Sequence, residues 1–180
     1  MSYLVTLLIL VLFLLALSYG IARHRWQLVE AARAHLDRSL WLRRGLIPLL
    51  VELTSRDQLT SNAEADSARK ALILARAELQ ENPFSLPEVL KKEESTASLA
   101  HRLLEVAARS AELAGDARFL ALRKEISEHD SAVSSALKAL REAYRQLSPA
   151  TTNPLLNMWR FAFVEAKNAD LEKLGFDHRT

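Results

Sequence analysis

The chain contains no cysteine among its 180 residues, and this absence removes several kinds of chemistry at once. Disulfide bonds, thiol nucleophiles and cysteine-ligated zinc or iron–sulfur sites are excluded. Glycine is scarce, with four residues in all. Strand-forming residues are concentrated in the first stretch, whereas Ala, Leu, Glu, Lys and Arg dominate from Ala22 onward, which favours helices. We therefore predict an all-α protein.

A large excess of one charge is also lacking. Lys and Arg number 24 against 22 Asp and Glu, which gives a net charge of +2 at neutral pH. The two signs alternate along the chain, a pattern that suits ion pairs on helix surfaces better than a phosphate-binding face. Nucleic acid is not an expected partner.

Charge is absent altogether from residues Tyr3 to Ala22, a run of twenty residues. As a helix this run would be about 30 Å long, the thickness of the hydrocarbon core of a bilayer. Thirteen of its residues are Leu, Ile, Val or Phe, so insertion is favourable by roughly 4–8 kcal/mol before polar deductions. We predict that residues 1–22 are a transmembrane anchor that contacts the lipid bilayer through residues 3–22.

The ends of this run carry typical interface residues. Tyr3 and Tyr19 are expected at the two headgroup levels, and Arg23 and Arg25 flank the span. Further arginines follow at Arg33, Arg38, Arg43 and Arg44. The positive-inside rule then predicts a single-pass protein of the bacterial inner membrane with its N-terminus outside and its domain in the cytoplasm. A cleaved signal peptide is the alternative, but a basic leading region and a small-residue cleavage site are not evident.

The remaining residues, 23–175, predict an antiparallel bundle of four to five helices, with residues 176–180 as a C-terminal tail. We expect a bend near residue 45, because Gly45 and Pro48 interrupt the helix that leaves the membrane. The expected later elements are a helix at about 62–81, a helix that ends at Gly115, a helix that opens at Asp116, and a helix from Asn153–Pro154 to Gly175.

The most regular apolar stripe follows Asp116, and His129 lies on it. With Glu125, Glu128 and Asp130, this histidine could form a cation-binding or acid–base site, but a hydrogen-bonded core histidine beside solvated carboxylates is the preferred interpretation. Paired Glu-x-x-His motifs, His-Glu-x-x-His, a glycine-rich phosphate loop and Gly-x-Ser-x-Gly are all missing from the sequence. We expect no catalytic residue, no metal and no cofactor.

Aromatic residues mark a candidate contact surface near the C-terminus. Trp159, Phe161 and Phe163 lie in the last predicted helix, where Phe161 and Phe163 cannot face the same way. These side chains either dock that helix on the bundle or form a face for a partner or the membrane interface.

Two stretches resemble the LemA-like family of bacterial membrane proteins. The segment Arg43–Glu52 is similar to the family's DLIPNLVE motif through Leu46, Ile47, Pro48, Leu50, Val51 and Glu52. The segment Leu103–Leu122 resembles its LLALAE…L…NFLAL stretch, and Trp26–Val29 is a looser match to YNxLV. The family's paired Tyr-Asn motifs and its GYxxHE segment are replaced, which identifies the chain as a divergent member. The resemblance implies membrane anchoring and a helical bundle, and it implies no reaction.

We therefore expect a non-enzymatic interaction or scaffold protein with a protein partner. Its candidate contact residues are Leu46, Ile47, Pro48, Glu52, Trp159, Phe161 and Phe163. Alternatives are a ligand- or stress-sensing bundle, an envelope-spanning coiled-coil protein of the lysis type, and, last, a metal-dependent enzyme around Glu125, His129 and Asp130. Homo-oligomerisation stays open.

Overall fold

The computed structural model of the chain describes residues 2–56, 63–81 and 85–147. In these residues the chain forms five helices and no strand, which confirms the all-α prediction. The helices are α1 (Ser2–Arg56), α2 (Ala63–Glu81), α3 (Leu86–Ala108), α4 (Ala111–Ala114) and α5 (Ala117–Leu147). The last predicted helix, 153–175, lies outside the described residues.

The chain divides into two compact units. The terminal unit comprises Met1–Asp37 and Ser135–Thr180, and the central unit comprises Arg38–Ser134. The predicted boundary between anchor and domain at residue 22 lies within α1 and stays a prediction.

Local sequence accounts for most helix ends. Helix α2 occupies nearly the predicted range, and acidic Glu64 and Asp66 lie in its first turn, where the helix dipole favours negative charge. At the start of α3, the Ser85 backbone N–H donates to the Glu88 carboxylate over 3.1 Å, while Pro87 occupies the first turn. This arrangement satisfies a backbone donor that the helix itself leaves unpaired.

One sequence-based prediction about the helix ends is corrected. The helix expected to end at Gly115 ends at Ala108, and α4 follows as a separate turn between Ser110 and Gly115. Ser110 takes an extended backbone conformation as the cap of α4, and serine favours such a position over a helix interior. Helix α1 also continues through Gly45 and Pro48 without a break, so packing outweighs the hydrogen bond that proline removes. The predicted bend near residue 45 stays a prediction.

The core of the central unit is apolar and continuous. Its buried side chains come from α1 (Leu46, Ile47 and Leu50), α2 (Ala65, Ala68 and Leu72), α3 (Ala100, Leu103, Leu104, Val106 and Ala107), α4 (Leu113) and α5 (Phe119, Leu122 and Ile126). Phe119, Leu122 and Ile126 belong to the stripe that the sequence predicts as a packing face. That part of the stripe is confirmed.

Helices α2 and α3 of the central unit are antiparallel. Glu64 near the start of α2 pairs with Arg102 near the end of α3, and Glu78 near the end of α2 pairs with Lys92 near the start of α3. The connection of four residues, 82–85, is a length typical of two neighbouring antiparallel helices.

In the terminal unit, α1 and α5 are joined beyond the apolar run. One face of α1 buries Val29 and Leu36, and α5 buries Ala136, Leu140 and Tyr144. Arg25 Nη1 donates to the Gln146 backbone oxygen over 3.0 Å, which gives a hydrogen bond between the two helices.

Candidate functional site

The first candidate site is the apolar run at the start of α1. This helix is long and apolar enough to cross a membrane. Of its most apolar segment of 18 residues, only 6% is buried. Every described side chain from Tyr3 to Leu14 is exposed. In water such a surface would be strongly unfavourable, since each square ångström of exposed apolar area costs about 25 cal/mol.

The hydroxyl of Ser18 inside the run is satisfied by its own helix. Ser18 is buried, and its hydroxyl donates to the Leu15 carbonyl oxygen over 2.8 Å. A hydroxyl bonded to its own helix carries no unpaired donor into a lipid environment. The run therefore has the properties that a bilayer requires.

The predicted flanking residues occupy different environments. Tyr3, Tyr19 and Arg23 are exposed, whereas Arg25 is half-buried through its bond to Gln146. Arg25 thus has a structural partner in α5, and of the two flanking arginines Arg23 has the more open side chain.

The second candidate site is a network of charges in the central unit. The Glu93 side chain on α3 is 2% exposed and accepts hydrogen bonds from both Arg43 and Arg44 on α1. Arg43 also donates to the Glu93 backbone oxygen over 3.1 Å and to Asp130 Oδ1 over 3.3 Å. Asp130 Oδ2 in turn lies 2.8 Å from His101 Nε2. Three helices are connected by these five side chains.

This network can hold helices in register but has no reactive arrangement. The carboxylate of Glu93 is saturated by two guanidinium groups, so it is not available as a base. Removing one partner from such a buried pair leaves an uncompensated charge. We assign the network a positioning role in the bundle.

Glu93 is not among the predicted site residues, although the sequence carries a signal for it. Glu93 lies seven residues before Ala100 and seven after Leu86, so it shares a helix face with two buried apolar residues. A lone carboxylate on an apolar face requires a cation from a neighbouring helix. The adjacent arginines Arg43 and Arg44 on α1 are the cations that meet this requirement.

A further buried arginine, Arg69, caps the end of α1 within the central unit. Its Nη2 donates to the Thr54 backbone oxygen over 2.8 Å, and its side chain lies 3.5 Å from Asp66. Thr54 is in the last turn of α1, where carbonyl groups lack helical partners. Arg69 therefore links the start of α2 to the end of α1.

The proposed contact segment near Pro48 is largely internal. Leu46 and Ile47 are in the core, Pro48 is half-buried, and Glu52 is exposed. Leu46 and Ile47 therefore contribute to the core of the central unit instead of presenting a surface. Trp159, Phe161 and Phe163 lie outside the described residues.

Exposed apolar side chains of the central unit lie elsewhere. Trp41 is 70% exposed, and Leu49 is also exposed on α1. Ile73 and Leu74 are exposed on α2. Exposed apolar side chains that form a contiguous patch are typical of contact surfaces, whereas single ones are ordinary on a domain. These four residues are not among the predicted contact residues, because their helical spacing resembles that of the core positions.

The acidic group near His129 is dispersed. Glu125 and Glu128 are exposed, and Glu128 lies 3.8 Å from Lys124 on its own helix. Asp130 faces Arg43 and His101 instead of His129. Over residues 2–56, 63–81 and 85–147, no three His, Asp or Glu side chains are placed to hold a metal ion.

No protein-family model, curated protein or solved structure matches this chain. The resemblance to the LemA-like family stays a prediction from the sequence.

Proposed function

We propose that the chain is a non-catalytic, single-pass protein of the bacterial inner membrane, a divergent LemA-like protein whose helical domain binds a protein partner. The observation that carries the anchoring is the uncovered apolar run of α1, with a mean hydropathy of 2.7 in its most apolar window. A bilayer is the solvent that accepts such a surface.

The arginines after the run support a cytoplasmic domain. Arg23 is exposed directly after the run, and positively charged flanks tend to remain in the cytoplasm. The N-terminus would then lie outside. The domain would meet cytoplasmic partners, close to the anionic headgroups of the inner leaflet.

Protease accessibility of a C-terminally tagged chain tests this topology. Intact spheroplasts expose the outer side of the inner membrane, and inverted vesicles expose the cytoplasmic side. Cleavage in inverted vesicles alone is the expected result. Cleavage in spheroplasts would contradict it and favour the envelope-facing alternative. Release of the chain by alkaline carbonate would contradict anchoring itself.

The exposed apolar side chains of the central unit support the interaction role. A photoreactive amino acid at Trp41 or Leu74 should give discrete protein adducts in living cells. The matched control is the same amino acid at Lys124, an exposed position on a charged surface. Equal labelling at all three positions would contradict a specific contact surface.

A further inference from the structure

Helices α1 and α5 of the terminal unit run antiparallel. Arg25 Nη1 contacts the Gln146 backbone oxygen, so residues 25 and 146 lie at the same level. The unit extends to Asp37 on α1, twelve residues beyond Arg25, and begins at Ser135 on α5, eleven residues before Gln146. These two lengths coincide if the helices run in opposite directions. A parallel pair would instead bring Lys138 level with the apolar run, where a charge is unfavourable.

The last turn of α5 lies close to the end of the apolar run. The run ends at Ala22, and Arg25 follows about 4.5 Å farther along the helix. Helix side chains tilt toward the helix N-terminus, which for α1 is the side of the run, so the Gln146 oxygen is no farther from the run than Arg25. Headgroups occupy roughly 5–8 Å on each side of the hydrocarbon core. Residues 23–27 of α1 and 144–147 of α5 are therefore at headgroup depth, and we call them the interface layer.

The composition of the interface layer suits a membrane surface. Its charged residues are Arg23, Arg25 and Arg145, and it contains no Asp or Glu. Trp26 and Tyr144 also belong to it, and such aromatic residues favour the headgroup level. Farther from the run, both helices carry acids as well as bases. The change in composition thus coincides with the depth that the Arg25–Gln146 contact defines independently.

We infer that the last turn of α5 lies among the headgroups of the membrane that α1 crosses, and that Arg145 binds anionic phospholipid there together with Arg23. The protein then meets the membrane surface through two helices, whereas the apolar run alone predicts one. Arg23 and Arg145 are both exposed, while Arg25 is half-buried and joins α5 to α1 at this depth. A guanidinium group can donate two parallel hydrogen bonds to a phosphate group. Attraction to an anionic surface acts within about a Debye length, which includes this layer.

Glu142 competes with the lipid for Arg145. Arg145 Nε lies 3.0 Å from Glu142 Oε2, and Arg145 Nη2 donates to Glu142 Oε1 over 3.2 Å. The two side chains are 80% and 47% exposed, and solvent weakens such a pair. A phosphate can therefore replace the carboxylate. Removal of the Glu142 charge should strengthen lipid binding, a result that a purely structural role of Arg145 does not predict.

Spin labels measure the depth of α5, because the natural chain has no cysteine and each variant carries a single label. Gln146→Cys and Ala139→Cys lie on one face of α5, two turns apart. His24→Cys and Ala31→Cys repeat this spacing on α1, and all four positions are exposed. Each labelled full-length chain is reconstituted in phosphatidylcholine vesicles that contain a lipid with a nickel-chelating headgroup.

Nickel at the headgroups should relax the labels at positions 146 and 24 to a similar extent. It should relax both severalfold more than the labels at positions 139 and 31. The result does not depend on which way the chain is oriented in the vesicle. Relaxation at position 146 as weak as that at position 139 would overturn the placement of α5.

This inference rests on the membrane anchoring of the proposed function, and a label at Leu14→Cys separates the two. That label should collide with dissolved oxygen and not with a water-soluble nickel complex. If it does so while position 146 resembles position 139, the placement of α5 fails alone. If position 14 is instead open to the water-soluble complex, the anchoring and the placement of α5 fail together.

A fluorophore on Gln146→Cys tests the preference for anionic lipid. The vesicles contain equal parts of phosphatidylcholine and phosphatidylglycerol, and one of the two carries a nitroxide quencher near its headgroup. Quenching by the labelled phosphatidylglycerol should be severalfold stronger. Arg23→Gln with Arg145→Gln should remove most of this difference, and Glu142→Gln should increase it. The matched control, Lys138→Gln, removes an exposed cation on the Arg145 face two turns farther from the run and should leave the difference unchanged.

Two outcomes would overturn the binding of anionic lipid. One is equal quenching by the two lipids when both arginines are present. The other is a loss of preference in Lys138→Gln as large as that in the double arginine variant, because a general effect of net charge would then explain it.

Discussion

The two ends of helix α1 differ in the environment that their side chains require. Residues 3–22 carry no charge and are almost wholly uncovered. Residues 38–56 bury Leu46 and Leu50 on one face and direct Arg43 and Arg44 to Glu93. The backbone is helical throughout, so the difference lies entirely in the periodicity of polar residues.

Helix formation and the environment that a helix requires are therefore specified by different features of the sequence. Leucine-rich sequence forms a helix in either setting. An apolar surface all round requires lipid, whereas a single apolar face with charges beside it requires a protein core. Changes that disturb one end of α1 should therefore leave the other largely intact.

The largest effect is expected from charges placed in the apolar run. The double change Leu10→Arg and Leu14→Arg should cost about 3 kcal/mol per arginine, enough to cancel most of the insertion free energy. The chain should then be extracted by alkaline carbonate. The control is Leu10→Ile with Leu14→Ile, which keeps the apolar character. Membrane retention of the arginine variant would mean that residues 3–22 are not the anchor.

The next effect concerns the buried carboxylate of the central unit. Glu93→Gln leaves the half-buried Arg44 without its carboxylate and Arg43 with Asp130 as its remaining counter-charge, and it should lower the free energy of unfolding by about 3–5 kcal/mol. Thermal unfolding of the detergent-purified chain by circular dichroism measures this change. The matched control, Glu94→Gln, alters the exposed neighbouring residue and should have little effect. Similar melting of both variants would argue against the network.

A combined variant tests whether the stability of the fold needs these three charges, or needs only that each buried charge has a partner. Replacing Arg43 and Arg44 by Met together with Glu93 by Leu removes all three charges at once. Buried ion pairs are often replaced by apolar residues without loss of stability. We expect the triple variant to recover most of the stability that Glu93→Gln loses.

Sequence predicted the helices and the apolar run because both depend on local periodicity. The predicted position of α2 and the start of α5 at Asp116 are confirmed within a residue or two. The uninterrupted α1 at Pro48 was not predicted, since local propensity favours an interruption there and tertiary packing overrides it. The Arg43–Glu93 pair joins residues fifty positions apart, and no periodicity within one helix specifies which distant cation a buried acid contacts.

A smaller effect is expected where α2 caps the end of α1. Arg69 is 8% exposed, and Arg69→Met removes its bond to the Thr54 carbonyl oxygen, which should cost about 1–3 kcal/mol. The control, Arg102→Met, breaks an exposed pair with Glu64 that contributes about 0–1 kcal/mol. Chemical denaturation of both variants in detergent measures the difference. An equal loss from the two variants would contradict the capping role of Arg69.

The smallest effects concern two exposed carboxylates, one from each unit. The hydrogen bond from Lys70 lowers the pKa of Asp66 below its ordinary value of 3.8, with added attraction from Lys70 and Arg69. The hydrogen bonds from Gln146 and Arg145 lower the pKa of Glu142 below 4.5. Each folded-state pKa is depressed, so each contribution is complete above the ordinary value and is lost as the pH falls through the folded-state pKa.

Stability measured against pH separates the two groups. The gap in unfolding free energy between the natural chain and Asp66→Asn should be constant near neutral pH and should shrink below pH 3.8. For Glu142→Gln the gap should begin to shrink nearer pH 4.5. Urea unfolding of each chain at a series of pH values measures both gaps. Because protonation removes the charge that each interaction stabilises, a gap that widened in acid would show that the substitution acts through something other than these hydrogen bonds.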